Sequence, residues 1–256
     1  MLAIERRNAI LAKLSTNGKV IVSELSEEFD VTEETIRRDL EKLDKEGLAK
    51  KTYGGAVINQ SLNTDLPYHV RKRSNVEQKE MIAEKIAQMI HDGDYLMLDS
   101  SSTAIYVTKY IKNLKNITLI TNSVETLIEL ADKPDWKVLS TGGSLKKGSL
   151  SLVGASAERM IRCFHVDLAV CSSKGLDINM GITDSNEKDS EIKRAIFDSA
   201  TRKVLAVDSS KFDKISFVRV GDIGDVDVIV TDKKPSSRWI DYLEENNVEL
   251  VFNEKD

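Results

Sequence analysis

Several things are scarce in this chain. Only two of its 256 residues are cysteine, Cys163 and Cys171. They share no Cys-x-x-Cys or Cys/His spacing, so neither a disulfide framework nor a zinc site is indicated. Both read as small core thiols of a reducing cytosol, and no metal or cofactor is expected. No apolar run approaches the roughly eighteen residues that a membrane helix requires. The opening Met-Leu-Ala-Ile-Glu-Arg-Arg turns polar too early for a signal peptide. A cytoplasmic protein without a membrane partner is therefore expected. Internal repeats and low-complexity tracts are lacking as well. Charge of one sign is not in large excess, since the net charge is −5. That excludes a chain that grips nucleic acid by bulk charge, and it leaves the local placement of cations as the question. The length suits two domains, each able to bury a core.

What is present begins near residue 22. Val22, Leu25 and Phe29 recur at helical spacing, giving a first helix with one apolar face. Asp30-Val31-Thr32 supplies a tight turn, and Thr32 is suited to cap a second helix. In that helix Ile36, Leu40 and Leu43 form the buried stripe. Glu34, Arg38, Glu41 and Lys45 fall on the opposite side, flanked by Arg37 and Thr35. Glu34–Arg38 and Glu41–Lys45 are i,i+4 pairs that any solvated helix can carry, so two arginines alone say little. Their setting says more, because a basic hairpin follows directly. Gly47 ends the helix, residues 48–53 read as a strand carrying Lys50, Lys51, Thr52 and Tyr53, Gly54-Gly55 turns the chain, and Ala56-Val57-Ile58 returns. A capped helix with adjacent arginines can enter a major groove, where Arg37 and Arg38 reach guanine edges or phosphates. Thr35 and Glu34 are secondary readers, and the hairpin is a wing for phosphates or a minor groove.

These residues resemble a known family. Arg6, Ile10 and Leu14, with Thr32-x-x-Thr35-Ile36-Arg37-Arg38-Asp39-Leu40, resemble the N-terminal signature of DeoR-type bacterial transcription regulators. The run from Lys50 through Tyr53 to Gly54-Gly55-Ala56 resembles that family's wing. The resemblance implies a winged helix-turn-helix that binds operator DNA, with Arg6 among its contacts. It also implies a C-terminal domain that senses a metabolite, usually a phosphorylated sugar or polyol.

Residues 1–58 thus form the expected DNA-binding domain, 59–74 a polar linker, and 75–256 the sensor. The sensor should open with a helix over 75–91 whose apolar face carries Met81, Ile82, Ile86, Met89 and Ile90. Short strand-like runs follow at 95–98, 117–120, 137–139, 166–170, 204–207 and 226–230, mostly separated by helical or loop segments. This alternation predicts an α/β domain with a mostly parallel sheet covered by helices on both faces. Sites in such sheets lie beyond the carboxyl ends of the strands. There the chain places Asp99, Ser100, Ser101, Ser102 and Thr103; Thr121 and Asn122; Gly142 and Gly143; and, after the run 204–207, Lys211. Each hydroxyl-rich loop alone is an ordinary helix cap, but several converging with a lysine predict an anion pocket. Asp99 is expected to accept from ligand hydroxyls. Lys174 is a further candidate, whereas Lys193, inside the helical segment 190–200, reads as a surface cation.

The stretch from 78 to about 252 resembles the DeoR-type sensor domain, which is itself similar to the ribose-5-phosphate isomerase fold. Ser101 stands where the family often has glycine, and Cys171-Ser172-Ser173-Lys174-Gly175 replaces a Gly-Ala stretch. The expected function is a DNA-binding repressor of a sugar or polyol catabolic operon, working as a dimer or larger homo-oligomer. The alternative is a sugar-phosphate isomerase with an appended DNA-binding domain. Isomerisation requires a positioned base and an enediolate stabiliser, and the isomerases' Asp-Gly-Ala-Asp run has no counterpart at 172–175. No catalytic residue is therefore assigned.

Overall fold

The computed structural model describes residues 1–59 and 66–253, in two compact units, Met1–Val76 and Glu77–Asp256. The first unit opens with α1 (Ala3–Asn17), closed by Gly18, whose φ of 74° lets its N–H reach Leu14 O at 2.9 Å. Strand β1 (Lys19–Ile21) leads into α2 (Val22–Phe29). Asp30 turns the chain at φ 50°, and α3 (Glu33–Lys45) follows. Thr32 Oγ1 accepts from Thr35 N at 3.3 Å, the cap expected there. Glu33 and Glu34 in the first turn and Lys42 and Lys45 in the last complement the helix dipole. Strands β2 (Ala49–Thr52) and β3 (Gly55–Ile58) form the wing, and β1 joins them in the order β1-β3-β2. Ile10, Leu11 and Leu14 of α1 meet Val22, Leu25, Ile36, Leu40 and Leu43 in one core. Each such side chain contributes about 1.5–3 kcal/mol by leaving water.

The stretch 59–74, read from the sequence as a linker, holds a helix in its second half. Helix α4 (Tyr68–Arg73) is entered from Pro67, and its Val70 is fully buried in the first core. Proline fixes φ at the helix entry, and Val70 supplies the apolar anchor that turns a polar stretch into a packed element. Residues 60–65 of that stretch lie outside the described residues.

The sensor unit starts with α5 (Val76–Ala87), shorter than the sequence suggested. Ile82, Ile86 and Ile90 are buried, but Met81 and Met89 are only half-buried. Then follow β4 (Tyr95–Leu98), α6 (Ala104–Tyr110), β5 (Thr118–Thr121), α7 (Val124–Glu129) and β6 (Lys137–Ser140). A hairpin of β7 (Ser144–Lys146) and β8 (Ser151–Val153) precedes α8 (Ala155–Arg162) and β9 (Val166–Cys171). Next come β10 (Gly175–Asp177), β11 (Gly181–Asp184), α9 (Glu187–Asp198), β12 (Ala200–Ala206) and β13 (Val218–Gly221). The unit ends with β14 (Val228–Val230), α10 (Ser237–Glu245) and β15 (Glu249–Val251).

Seven strands pair in the order β15-β14-β12-β9-β4-β5-β6, and every pairing is parallel. Successive strand residues face opposite sides, and Leu96, Met97 and Leu98 are all within 1% of full burial. Both faces of the sheet centre are therefore covered, as a parallel sheet requires. Two features went unread in the sequence: the β7–β8 hairpin and the small antiparallel sheet β10-β11-β13. Their strands are three or four residues long, too short for alternation to show.

Candidate functional site

In the first unit, α3 presents Arg37 and Arg38 to solvent. Arg37 Nη2 lies 2.5 Å from Glu33 Oε2 and Arg38 Nε 3.1 Å from Glu34 Oε1, both one turn away on the same helix. Exposed pairs of this kind are weak, so both guanidinium groups can exchange a glutamate for another anion. Thr35 is half-buried and shares a hydrogen bond with Thr32 at 3.0 Å. On the wing Lys50, Lys51, Thr52 and Tyr53 are all exposed.

Two expectations for this unit are corrected. The wing tip is Tyr53-Gly54, not Gly54-Gly55, because Thr52 already pairs with Gly55 across the hairpin. Gly55 serves a different purpose: a Cβ there would stand 2.1 Å from Val20 O, so only glycine lets β3 approach β1. Arg6, expected among the DNA contacts, is buried. Its Nε donates to Asp39 Oδ2 at 2.5 Å, and Arg7 Nη1 adds a longer contact to the same carboxylate at 3.4 Å. A buried guanidinium needs a carboxylate, and this one pins the rear of α3 to α1.

In the sensor unit the parallel register brings Leu98, Thr121, Ser140 and Val170 level on neighbouring strands. The residues just beyond them therefore share one edge. Asn122 Nδ2 donates to Ser100 Oγ at 3.4 Å, to Ser151 Oγ at 3.1 Å and to Leu152 O at 3.1 Å. Ser100 Oγ donates to Ser151 Oγ at 2.9 Å. Thr121 Oγ1 donates back to Leu98 O at 2.7 Å, and Thr141 N to Thr121 O at 3.1 Å. Ser101 Oγ accepts from Ala104 N at 3.0 Å, and Ser101, Ser102 and Thr103 are buried. Gly142 and Gly143 take φ values of 61° and 100°, and a Cβ at Gly143 would meet Val153 O at 2.7 Å. The loops after β4, β5 and β6 thus come together as read from the sequence, and Ser151 from β8 is an unforeseen member.

Asp99 is not turned toward an open site. Its Oδ1 accepts from Ser101 N at 2.9 Å, and its Oδ2 from Ser172 N at 3.1 Å and from Lys193 Nζ at 2.7 Å. Lys193 corrects the surface-cation reading: it is buried, donates also to Ser172 O at 2.7 Å, and lies 3.3 Å from Asp184 Oδ2. Burial opposes its charge, but the carboxylates of Asp99 and Asp184 outweigh this and hold it above the ordinary lysine range. One ammonium therefore joins the ends of β4, β9 and β11 to α9. Its place within the buried face of α9, with Ser190 and Phe197 at i−3 and i+4, is the signal that could have revealed it.

Lys211 sits half-buried on a single helical turn, Ser209–Lys211, just after β12. Asp208, also buried, holds that turn by accepting from Ser210 N at 3.0 Å. Burial pushes the Asp208 carboxyl up, yet Lys211, Ser210 and Lys79 bring it below the usual range. Lys79, itself buried in α5, is a second cation at this corner that the sequence reading passed over. Strand β12 stands two places from β4, roughly 10 Å away. Lys174 is half-buried, with its N–H bonded to Thr183 O at 3.0 Å, and belongs to the small antiparallel sheet rather than the loop cluster. Cys171 is fully buried beside the Lys193 cluster, where burial and Asp99 raise its thiol well above the ordinary range, whereas Cys163 is exposed. Among the described residues no helix is long and apolar enough to cross a membrane.

Comparison with known proteins adds an independent finding. The family model of a DeoR-like helix-turn-helix domain matches residues 6–62, and that of the DeoR C terminal sensor domain matches residues 74–233. The chain is 38% identical to an uncharacterized HTH-type transcriptional regulator, YulB, of Bacillus subtilis (strain 168), over 98% of this chain and 97% of that one. It is 32% identical to the L-fucose operon activator of Haemophilus influenzae, over 96% and 99% of the two chains. Identity to the glycerol-3-phosphate regulon repressor of Escherichia coli (strain K12) is 31%, over 96% and 97%. A solved ribose 5-phosphate isomerase from Plasmodium falciparum aligns with a TM-score of 0.38 at 17% identity, over 52% of each chain, a likeness too slight to carry an argument.

Proposed function

Because the chain belongs to the DeoR family of helix-turn-helix transcriptional regulators, we propose that it represses a sugar or polyol catabolic operon and is released by a phosphorylated sugar or polyol. The chain is a DNA-binding regulator, not an enzyme, and the isomerase alternative falls away. Arg37 and Arg38 of α3 reach base edges or phosphates in the major groove, helped by Thr35 and Glu34. Thr32 caps the helix that carries them, and Lys50, Lys51, Thr52 and Tyr53 grip the neighbouring backbone. One head makes too few contacts for tight binding, so at least a dimer spans successive half-sites.

In the sensor, the effector's phosphate lies against the loops at 100–103, 121–122 and 142–143, with Lys211 and Lys79 supplying positive charge from the corner after β12. The names of two relatives, a glycerol-3-phosphate regulon repressor and an L-fucose operon activator, support this class of effector. One observation carries the reading. A single chain holds an exposed arginine pair on a capped helix and, in its other unit, a buried hydroxyl-rich sheet edge with lysines at its corner.

Fluorescence anisotropy with DNA from upstream of its gene tests the proposal. Replacing Arg37 and Arg38 together by Ala should cost at least about 2 kcal/mol of binding, at 1–3 kcal/mol per base contact, while the core residues keep α3 folded. A phosphorylated sugar should weaken the wild-type complex. Lys211→Ala should blunt that response by roughly 1–3 kcal/mol of ligand affinity without touching DNA binding by the free protein. Unchanged DNA affinity in the folded double variant would reject α3 as the reading helix.

A further inference from the structure

The β7–β8 hairpin sets Lys146 directly opposite Ser151, and opposed residues of an antiparallel ladder project from the same face with Cβ atoms about 5 Å apart. From that face Lys146 Nζ reaches Asp189 Oδ2 at 2.6 Å, and Ser151 Oγ meets Asn122 Nδ2 at 3.1 Å. The hairpin therefore draws the loop after β5 and the start of α9 toward one spot. Two acceptors there are without donors among the described residues. Asn122 is 1% exposed, and its amide orientation is fixed, because Leu152 O can only accept and so must face Nδ2. Its Oδ1 is then buried with nothing donating to it. Asp189 is in the same condition: Oδ2 takes Lys146 and, at 2.7 Å, Asn186 Nδ2, while the buried Oδ1 has no partner. Buried acceptors without donors are rare in folded proteins. Two of them, on residues bound to opposed positions of one hairpin, call for a ligand that donates.

We propose that Asn122 Oδ1 and Asp189 Oδ1 form the hydroxyl-reading end of the effector site, each accepting an O–H from the carbon chain or ring that bears the phosphate. The proposal rests on the sensor reading above and narrows it. The effector is a polyhydroxylated phosphate ester and not a phosphorylated acid, since a ligand carboxylate would face two acceptors, one of them charged. The hairpin is a specificity element, with Lys146 and Ser151 as positioning residues that hold Asp189 and Asn122 in place.

Matched ligand pairs test this on the full wild-type chain by calorimetric titration. The pairs are glycerol 3-phosphate with propyl phosphate, ribitol 5-phosphate with pentyl phosphate, and glucose 6-phosphate with cyclohexylmethyl phosphate; inorganic phosphate and 3-phosphoglycerate serve as references. In at least one pair the hydroxylated ligand should bind about tenfold or more tightly than its alkyl partner, and 3-phosphoglycerate should bind no better than inorganic phosphate. Asp189→Ala, which removes one of the two acceptors, should cut the advantage of the hydroxylated ligand in the favoured pair severalfold. If phosphate esters bind but every alkyl partner matches its hydroxylated counterpart, the hydroxyl-reading end is overturned and the anion site stands. If nothing phosphorylated binds, inorganic phosphate included, the sensor reading fails and takes this inference with it. The wild-type pairs decide the matter even where the variant does not fold.

Discussion

At Lys193 three strand ends share one ammonium. Asp99 arrives from β4, Ser172 from the end of β9 and Asp184 from β11, and the lysine itself comes from α9. Removing the cation leaves two buried carboxylates facing each other, which is far costlier than losing a surface pair. Lys193→Met should therefore lower stability by about 3–5 kcal/mol. The sign of its pH dependence follows from the raised folded-state pKa. The contribution is complete below the unfolded value of 10.5 and is lost only as pH rises through the folded one. The deficit should accordingly be no smaller in urea unfolding at about pH 9 than at about pH 6. A deficit that shrank by the higher pH would mean that Lys193 is not held charged. Arg6 teaches the same lesson in the first unit, where a basic residue of the matched signature turns out to be buried against Asp39. In both places the sequence displayed a cation, but its burial depended on a partner 33 or 94 residues away, a distance that no local pattern spans.

Among the elements, the wing makes the clearest prediction. Lys50 and Lys51 are exposed on β2, and lysines that meet phosphates add affinity without reading sequence. Replacing both by Ala should flatten the log–log salt dependence of DNA binding by roughly 0.9 for each phosphate that is no longer neutralised, equally on operator and unrelated DNA. A variant that kept the slope and changed operator preference would show the hairpin reading bases instead. Elements of this kind were legible beforehand where a pattern ran long enough. Ile36, Leu40 and Leu43 announced α3, and the apolar runs at 95–98 and 166–170 announced the central strands. Three-residue strands such as β7, β8 and β10 left no such trace, and with them went Ser151, Lys146 and the whole hairpin face. The loops of the sensor site could be placed because they follow strands. What the loops hold, notably Asp99 turned inward to Lys193, depended on pairings between distant segments.

For the molecule as a whole, two compact units, each with its own hydrophobic cluster among the described residues, imply two cooperative melting units. Scanning calorimetry should resolve two transitions. A phosphorylated effector at a hundredfold excess over its Kd should stabilise the sensor by about 2.7 kcal/mol and leave the transition of the DNA-binding unit where it was. Movement of both transitions together would point to a single cooperative unit. The order of strands in the large sheet has a different consequence, one for the making of the protein. The DNA-binding unit is contiguous and emerges from the ribosome before the sensor. Strand β4 comes next, yet one of its edges pairs only with β9, where Leu96 meets Leu168. At about 5–20 residues per second, that edge waits roughly 4–14 seconds for its neighbour to be synthesised. Through this interval the nascent chain displays an unpaired central strand as apolar as Leu96-Met97-Leu98. The sensor is thus the half of the molecule whose synthesis should depend most on chaperones.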